Sequence, residues 1–271
     1  MIKFKYLIPR NRRAQLRVAI YPGIFWKVFR AVKFRSIGKV LQFFEEFHNK
    51  NDGISNVYVR GCSSPVSLRF GTSDFEVFRQ VFLERQYELP ILNGAEFIID
   101  AGANIGLSSV YFLMKNPQLK VLAIEPDIQN YKIAKNNLIF FADRCDLILG
   151  AVWSQSGTLA ISRGTFRDGQ HWATQTLPVS EFDESDEQVR SYTLNELIDV
   201  SGFPHIDLLK MDIEGAELQV FRDGDTTALS DVSCCAVECH DQKCLSAFHQ
   251  SLEPFDFLLR QQGELEIAER R

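Results

Sequence analysis

From Ala95 to the C-terminus, short apolar runs alternate with helical stretches, and this alternation constrains the fold more than any other feature of the 271-residue chain. Phe97-Ile98-Ile99-Asp100 reads as a short buried strand, followed by a helix that opens near Ile105-Gly106 and ends at Asn116-Pro117. Val121–Glu125 is the second strand, and Pro126-Asp127 starts a helix ending near Asn137. Leu147–Val152 is the third strand, with Gly157–Ser162 returning beside it, and residues 163–190 form a long polar connection. Leu194–Val200 is helical, Ile206–Met211 is the fourth strand, Ala216–Phe221 the next helix and Val232–Cys239 the fifth strand. Leu245–Leu252 supplies one more helix, and Phe255–Leu259 and Leu265–Ile267 two closing strands. Strands separated by single helices predict an α/β fold: a doubly wound, mostly parallel sheet with helices on both faces.

Upstream the pattern differs. Residues 1–55 are basic and aromatic, with Ile24, Phe25, Val28, Phe29 and Val32 at helical spacing and Val40, Leu41, Phe43, Phe44 and Phe47 suggesting a second helix. Residues 56–94 hold a short strand pair (Val57–Val59, Val66–Phe70) and a helix that Ser73-Asp74 caps, running through Phe75, Phe78, Val81 and Phe82. The chain thus divides into 1–55, 56–94 and 95–271. With 45% hydrophobic residues and 22 Phe it has material for a core, which excludes a disordered or fibrous chain. No run approaches the ~18 apolar residues of a membrane span. The net charge of −5 gives no general reason to expect nucleic acid, but it is unevenly spread: residues 1–50 hold twelve of the 30 Lys and Arg and only two of the 35 acids. A cleaved signal peptide is not expected, because Val18–Trp26 is broken by Pro22-Gly23 and lacks a small-residue cleavage site. Four of six cysteines crowd into 234–244 around His240, without the paired C-x-x-C spacing of a zinc site. Strand alternation sends Cys234 and Cys235 to opposite faces, so they read as buried thiols of a reducing cytoplasm.

Ligands of such sheets sit beyond the carboxyl ends of the strands, at the switch point. There the first strand ends in Asp100-Ala101-Gly102-Ala103-Asn104-Ile105-Gly106, whose glycines allow a sharp turn and close approach of a ligand. Twenty-five residues after Asp100 the second strand ends in Glu125-Pro126, placing a carboxylate where it accepts the two hydroxyls of a ribose. A dinucleotide fingerprint needs glycine two residues after Gly102, where Asn104 stands, and no Gly-Lys-Ser/Thr of a P-loop follows. An acid at Asp100 suits a ligand with an ammonium and a sulfonium, the description of S-adenosylmethionine. The bland reading of the loop is a strand-to-helix connector.

The runs FIIDAGANIGLSSVYF, AIEPD and LLKMDIEGAELQVF resemble the FkbM family of S-adenosylmethionine-dependent methyltransferases, over roughly residues 66–240. The Asp-Ile-Glu-Gly-Ala-Glu string at 212–217 is the most family-specific piece. The resemblance implies a class I methyltransferase, Rossmann-like sheet of seven strands with the last antiparallel, preceded here by the N-terminal helical extension. It makes 95–271 the cofactor-binding domain, with Asp100, Gly102, Ala103, Asn104 and Gly106 as the cofactor loop, Glu125-Pro126 at the ribose and Ala151-Val152 at the adenine wall. The C-terminus is short for two closing strands.

Methyl transfer to a hydroxyl needs the acceptor oxygen positioned at roughly 3–3.5 Å and relieved of its proton by a base or metal. Asp212 ends the fourth strand beside the switch point and Glu214 follows two residues on; both face the methyl group, or they cap the helix that begins there. Such carboxylates could also take a divalent cation, although no metal site is assigned. His240 leaves the fifth strand at the same edge, as base or as wall residue, with Glu238 beside it. Asp74, Glu238, His171 and Trp172 complete the expected substrate and lid residues, the last two in the long connection. The expected activity is O-methylation of a hydroxyl on a sugar, glycolipid or secondary metabolite, with a small-molecule or glycan acceptor as partner and no nucleic acid. The rivals are a noncatalytic adenosine-ligand module and a nicotinamide-dependent oxidoreductase. The expected location is cytoplasmic; residues 1–50 either pack as a helical cap, act as an interaction arm or meet an anionic membrane surface.

Overall fold

A computed structural model describes residues 22–33, 46–47, 50–163, 174–178 and 187–271. The chain divides after Glu84 into two compact units, Met1–Glu84 and Arg85–Arg271.

In the first unit, α1 (Pro22–Ala31) covers most of the first helix expected from sequence; of the second, only residues 46–47 are described, and they are helical. Strands β1 (Ile54–Val57) and β2 (Val66–Arg69) pair antiparallel. The next helix departs from expectation. Ser73 makes no side-chain cap, and α2 (Asp74–Phe78) gives way to a π turn over Arg79–Leu83, closed by Glu84 N donating to Arg79 O. The wider turn buries three successive apolar residues, Val81, Phe82 and Leu83, which helical spacing would spread over different faces.

The second unit carries the predicted sheet. Its strands are β3 (Phe97–Ala101), β4 (Lys120–Glu125), β5 (Cys145–Leu149), β10 (Ile206–Met211), β11 (Val232–Glu238), β12 (Phe257–Gln262) and β13 (Leu265–Arg270). Their spatial order is β12-β13-β11-β10-β3-β4-β5. All are parallel to their neighbours except β13, which runs antiparallel to both β11 and β12. That is the class I methyltransferase sheet. The two closing strands are six residues each.

Burial explains which runs become central. β3 is buried at every residue and β10 at five of six, as a strand covered on both faces requires. Helices α3 (Leu107–Lys115), α4 (Ile128–Leu138), α5 (Leu194–Ser201), α6 (Glu217–Asp223) and α7 (Gln242–Leu252) connect the strands. Asp127 caps α4 by accepting from Gln129 N (2.7 Å) and Asn130 N (3.0 Å), which fixes the chain direction just past Glu125. A Thr193–Glu196 capping box starts α5. One core cluster runs from Phe97 and Ile99 through Leu209 and Met211 to Phe221 and Phe248.

Two expectations fail between β5 and α5. The third strand is not continuous: after Gly150 the chain leaves the main sheet, and β6 (Ala151–Val152) joins a separate four-stranded sheet. A Cβ on Gly150 would lie 2.7 Å from the Tyr192 ring, so the ring packs directly on bare backbone where the chain leaves the sheet. Residues 157–162 therefore do not return beside the third strand: β9 (Gln188–Tyr192) lies between β6 and β7 (Gly157–Arg163). The 163–190 connection accordingly contains β8 (Thr174–Pro178) and the start of β9, which lie on either side of β7 and pair with it through backbone groups that a polar sequence does not reveal.

Candidate active site

The order of the sheet reverses between β3 and β10, and at their carboxyl ends lies an open cleft. Four segments form it, at the carboxyl ends of β3, β4, β5 and β10. The loop after β3 turns through Gly102 (φ 75°) and Asn104 (φ 52°), held to β4 by Gly102 and Ala103 N–H groups donating to Ile124 O, each at 3.0 Å. A Cβ on Gly102 would lie 1.8 Å from the carbonyl oxygen of Asp212, so the glycine loop and the Asp212 loop touch backbone to backbone. The two sequence motifs thus depend on each other in space.

Glu125 ends β4 against the cleft, only 4% exposed. It accepts from Asn104 N (2.8 Å), Asp127 N (3.0 Å) and Asn130 Nδ2 (3.4 Å), which orient both oxygens while leaving lone pairs for further donors. Burial pushes its carboxyl up to about 7, against the lowering effect of those hydrogen bonds. Pro126, Ala151 and Val152 also line the cleft, as do four residues that sequence reasoning did not single out: Ile124, Asn130, Gly150 and Ile213.

Asp100, Ala103 and Gly106 are placed otherwise than expected. The Asp100 carboxylate is fully buried beneath the loop. It lies 3.1 Å from Lys210 Nζ and accepts from the Ser108 and Ser109 hydroxyls, each at 2.6 Å. Lys210 donates in turn to Gly102 O (2.6 Å) and Ala101 O (3.3 Å). Burial lowers the lysine's proton affinity, but Asp100, Tyr87 and Asp212 outweigh it and keep the group cationic. Asp100 therefore acts on the loop through Lys210 rather than facing a ligand ammonium. Ala103 is buried, and Gly106 lets α3 approach Ala134 and Leu138 of α4.

Asp212 and Glu214 line the cleft beside Gly102. They do not cap α6, which has no side-chain cap. The Glu217 carboxylate, with no exposed surface, instead ties down the loop before the helix, accepting from Ile213 N (2.6 Å) and Gly215 N (2.8 Å). This holds Glu214 in the left-handed region (φ 56°), a strained backbone for a non-glycine residue. The only sequence hint of Glu217's role is its place at the end of the DIEGAE string.

His240 comes from the end of β11 into this group of acids. Its Nε2 lies 3.3 Å from Glu214 Oε2 and 3.8 Å from Asp212 Oδ1; its Nδ1 lies 3.6 Å from Glu217 Oε1 and 2.9 Å from Glu238 O. Burial pulls the imidazole down, but the hydrogen bond with Glu214 and the charges of Glu217, Asp212 and Glu214 carry it up to about 10. Burial raises Glu217 to about 7, and burial with Asp212 repulsion raises Glu238 to about 8. Asp212, Glu238 and His240 bring one ligand-type atom each within 4.8 Å of one another.

His171 and Trp172 lie outside the described residues. Asp74, expected near substrate, is instead a strut of the N-terminal unit: fully buried, it accepts from Arg69 N (2.8 Å), Nε (3.0 Å) and Nη2 (2.8 Å). The six cysteines are unpaired; Cys234 and Cys235 are buried, and burial pushes the Cys234 thiol up to about 12.

The methyltransferase FkbM domain model matches residues 100–263, a stretch that holds every cleft residue named above. The chain is 31% identical over 181 residues to methyltransferase sdnD of Sordaria araneosa, covering 55% of this chain and 68% of that protein. It is 25% identical over 183 residues to methyltransferase 1 of Beauveria bassiana (strain ARSEF 2860), covering 62% and 74%. Among solved structures it is similar to precorrin-6y C5,15-methyltransferase of Geobacter metallireducens GS-15, at 11% identity and TM-score 0.42, covering 69% of this chain and 85% of that one. With the family match spanning most of the chain and the DIEGAE loop placed against the glycine loop, the chain belongs to the FkbM methyltransferase family.

Proposed function

We propose that the protein transfers a methyl group from S-adenosylmethionine to a hydroxyl of a sugar, glycolipid or secondary metabolite. The observation that carries the reading is that Asp212 belongs both to the cleft and to the acid–imidazole cluster, so a proton acceptor stands where cofactor and acceptor would meet. The cleft suits this cofactor: Gly102 leaves open the space a Cβ would take, Glu125 keeps acceptor capacity for ribose hydroxyls, and Ala151 and Val152 offer an apolar wall.

When bound, S-adenosylmethionine supplies a methyl carbon on a positively charged sulfur, so an in-line oxygen forms the C–O bond as the C–S bond breaks. The chain's own residues then have three tasks. Gly102, Asn104 and Glu125 hold the adenosine part in place, and positioning supplies much of the rate of such a displacement. Asp212 accepts the proton of the acceptor hydroxyl. His240, cationic at neutral pH when its proton affinity lies near 10, keeps the neighbouring carboxylates in place rather than serving as the base.

The partner of the reading is a small-molecule or glycan acceptor. Twelve Lys and Arg in residues 1–50 carry the charge for a peripheral contact with an anionic membrane, and the unpaired thiols fit a reducing cytoplasm. The test is incubation of small-molecule and glycolipid extracts with S-adenosylmethionine and the protein, followed by mass spectrometry. A product heavier by one methylene whose methyl sits on oxygen supports the reading; methylation solely on nitrogen or carbon refutes it.

A further inference from the structure

We propose that Asp212, Glu238 and His240 form a binding site for a first-row divalent cation on the rim of the cleft. The ion's open coordination positions would face the acceptor oxygen. What the ion does rests on the methyltransferase reading; that it binds does not.

The argument begins with register. Met211 of β10 stands opposite Val237 of β11, so Asp212, just past β10, and Glu238, the last residue of β11, stand side by side. His240 follows two residues later. One donor atom from each lies within 4.8 Å of the other two. Donors held about 2.1–2.5 Å from a common ion stand up to roughly 4–5 Å apart, so the three converge at ligand spacing. Two carboxylates and one imidazole are a set that divalent transition ions accept and that differs from a solvated acidic patch.

Histidine geometry points to a ligand independently. Nδ1 lies 2.9 Å from the Glu238 carbonyl oxygen, which only accepts, so Nδ1 carries a hydrogen and donates it. Metal-binding imidazoles are oriented in this way, one ring nitrogen donating to a carbonyl and the other turned to the ion. Here the other, Nε2, faces Glu214 Oε2 at 3.3 Å and Asp212 Oδ1 at 3.8 Å, on a side chain only 4% exposed. Asp212 also lines the cleft, so a bound ion would lie within reach of an acceptor hydroxyl and lower its pKa.

Electron paramagnetic resonance of Mn²⁺ added to the full chain tests the site. We expect one Mn²⁺ bound per chain and, in wild type, nitrogen modulation of its spin echo from one imidazole. Glu238→Gln and His240→Gln should each weaken Mn²⁺ binding at least about tenfold, while calorimetry shows that they still bind S-adenosylhomocysteine. Wild type that binds no Mn²⁺, or binds it without nitrogen coupling, overturns the site whatever the variants do; so does unchanged affinity in both variants. S-adenosylhomocysteine binding without Mn²⁺ binding would remove the metal and leave the methyltransferase reading standing. Mn²⁺ held with nitrogen coupling but no S-adenosylhomocysteine bound would do the reverse.

Discussion

Replacing Lys210 with Met should destabilise the protein more than any change on its surface. Lys210 has a side chain 2% exposed, and the Asp100 carboxylate 3.1 Å away has no exposed surface. Removing one partner of a buried pair leaves the other charge without compensation, at a cost of about 3–5 kcal/mol. The Ser108 and Ser109 hydroxyls remain on Asp100, which puts the expected loss near the lower end, about 3 kcal/mol. At about 2–4 °C per kcal/mol for a domain of this size, the melting temperature should fall by about 6–12 °C. The double variant Lys210→Met/Asp100→Asn removes both charges and should recover at least half of the loss, since a buried pair is often replaceable by neutral groups. Differential scanning calorimetry of wild type, single and double variants measures both steps. S-adenosylhomocysteine affinity should fall in the single variant too, because Lys210 holds the Gly102 and Ala101 carbonyls. A single variant within about 1 kcal/mol of wild type, far below the cost of a broken buried pair, would refute the reasoning. A double variant no better than the single would do the same.

The Glu125 carboxyl sits near 7, above its ordinary 4.5, so between those values the folded state binds a proton that the unfolded state has lost. Its contribution to stability therefore declines as pH rises from about 4.5 to about 7, by at most about 3 kcal/mol, and is flat above. Glu125→Gln should remove this slope in pH-dependent thermal unfolding and weaken S-adenosylhomocysteine at pH 8 by about 1.5–3 kcal/mol; an unchanged slope would assign the titration elsewhere. Asp212→Asn should keep cofactor affinity and lower single-turnover methyl transfer by roughly 10²–10⁴-fold, whereas a turnover within about threefold of wild type would remove Asp212 as the base. Gly102→Ala places a methyl 1.8 Å from the Asp212 carbonyl at a left-handed φ, so calorimetry should show at least about a tenfold loss of cofactor affinity; retained affinity would mean that the two loops part freely.

The sheet was legible because the mostly apolar runs of β3 and β10 alternate with helices, and the cleft because strand ends at a switch point are predictable from element order alone. Gly102, Asn104, Glu125 and Asp212 could be named for that reason. What depends on register and on side-chain direction was not legible. Asp100 sits one turn of loop from the cleft, yet β3–β10 pairing sets it opposite Lys210, and a buried lysine demands the acid for itself. Neither Asp212 nor Glu214 caps α6; the loop N–H groups of Ile213 and Gly215 turn to the buried Glu217 carboxylate, a contact that strand-end reasoning does not show. The second sheet was missed because β6 is two residues long and its partner β9 lies some 40 positions on, a pairing that no local pattern announces.

Calorimetric titration of the full chain with S-adenosylhomocysteine and, separately, with NAD tests the central claim most directly. The account predicts one S-adenosylhomocysteine bound per chain, no heat from NAD, and loss of the S-adenosylhomocysteine signal on Gly102→Val in a protein that still melts cooperatively. Binding of NAD without S-adenosylhomocysteine, or S-adenosylhomocysteine binding untouched by Gly102→Val, would contradict it.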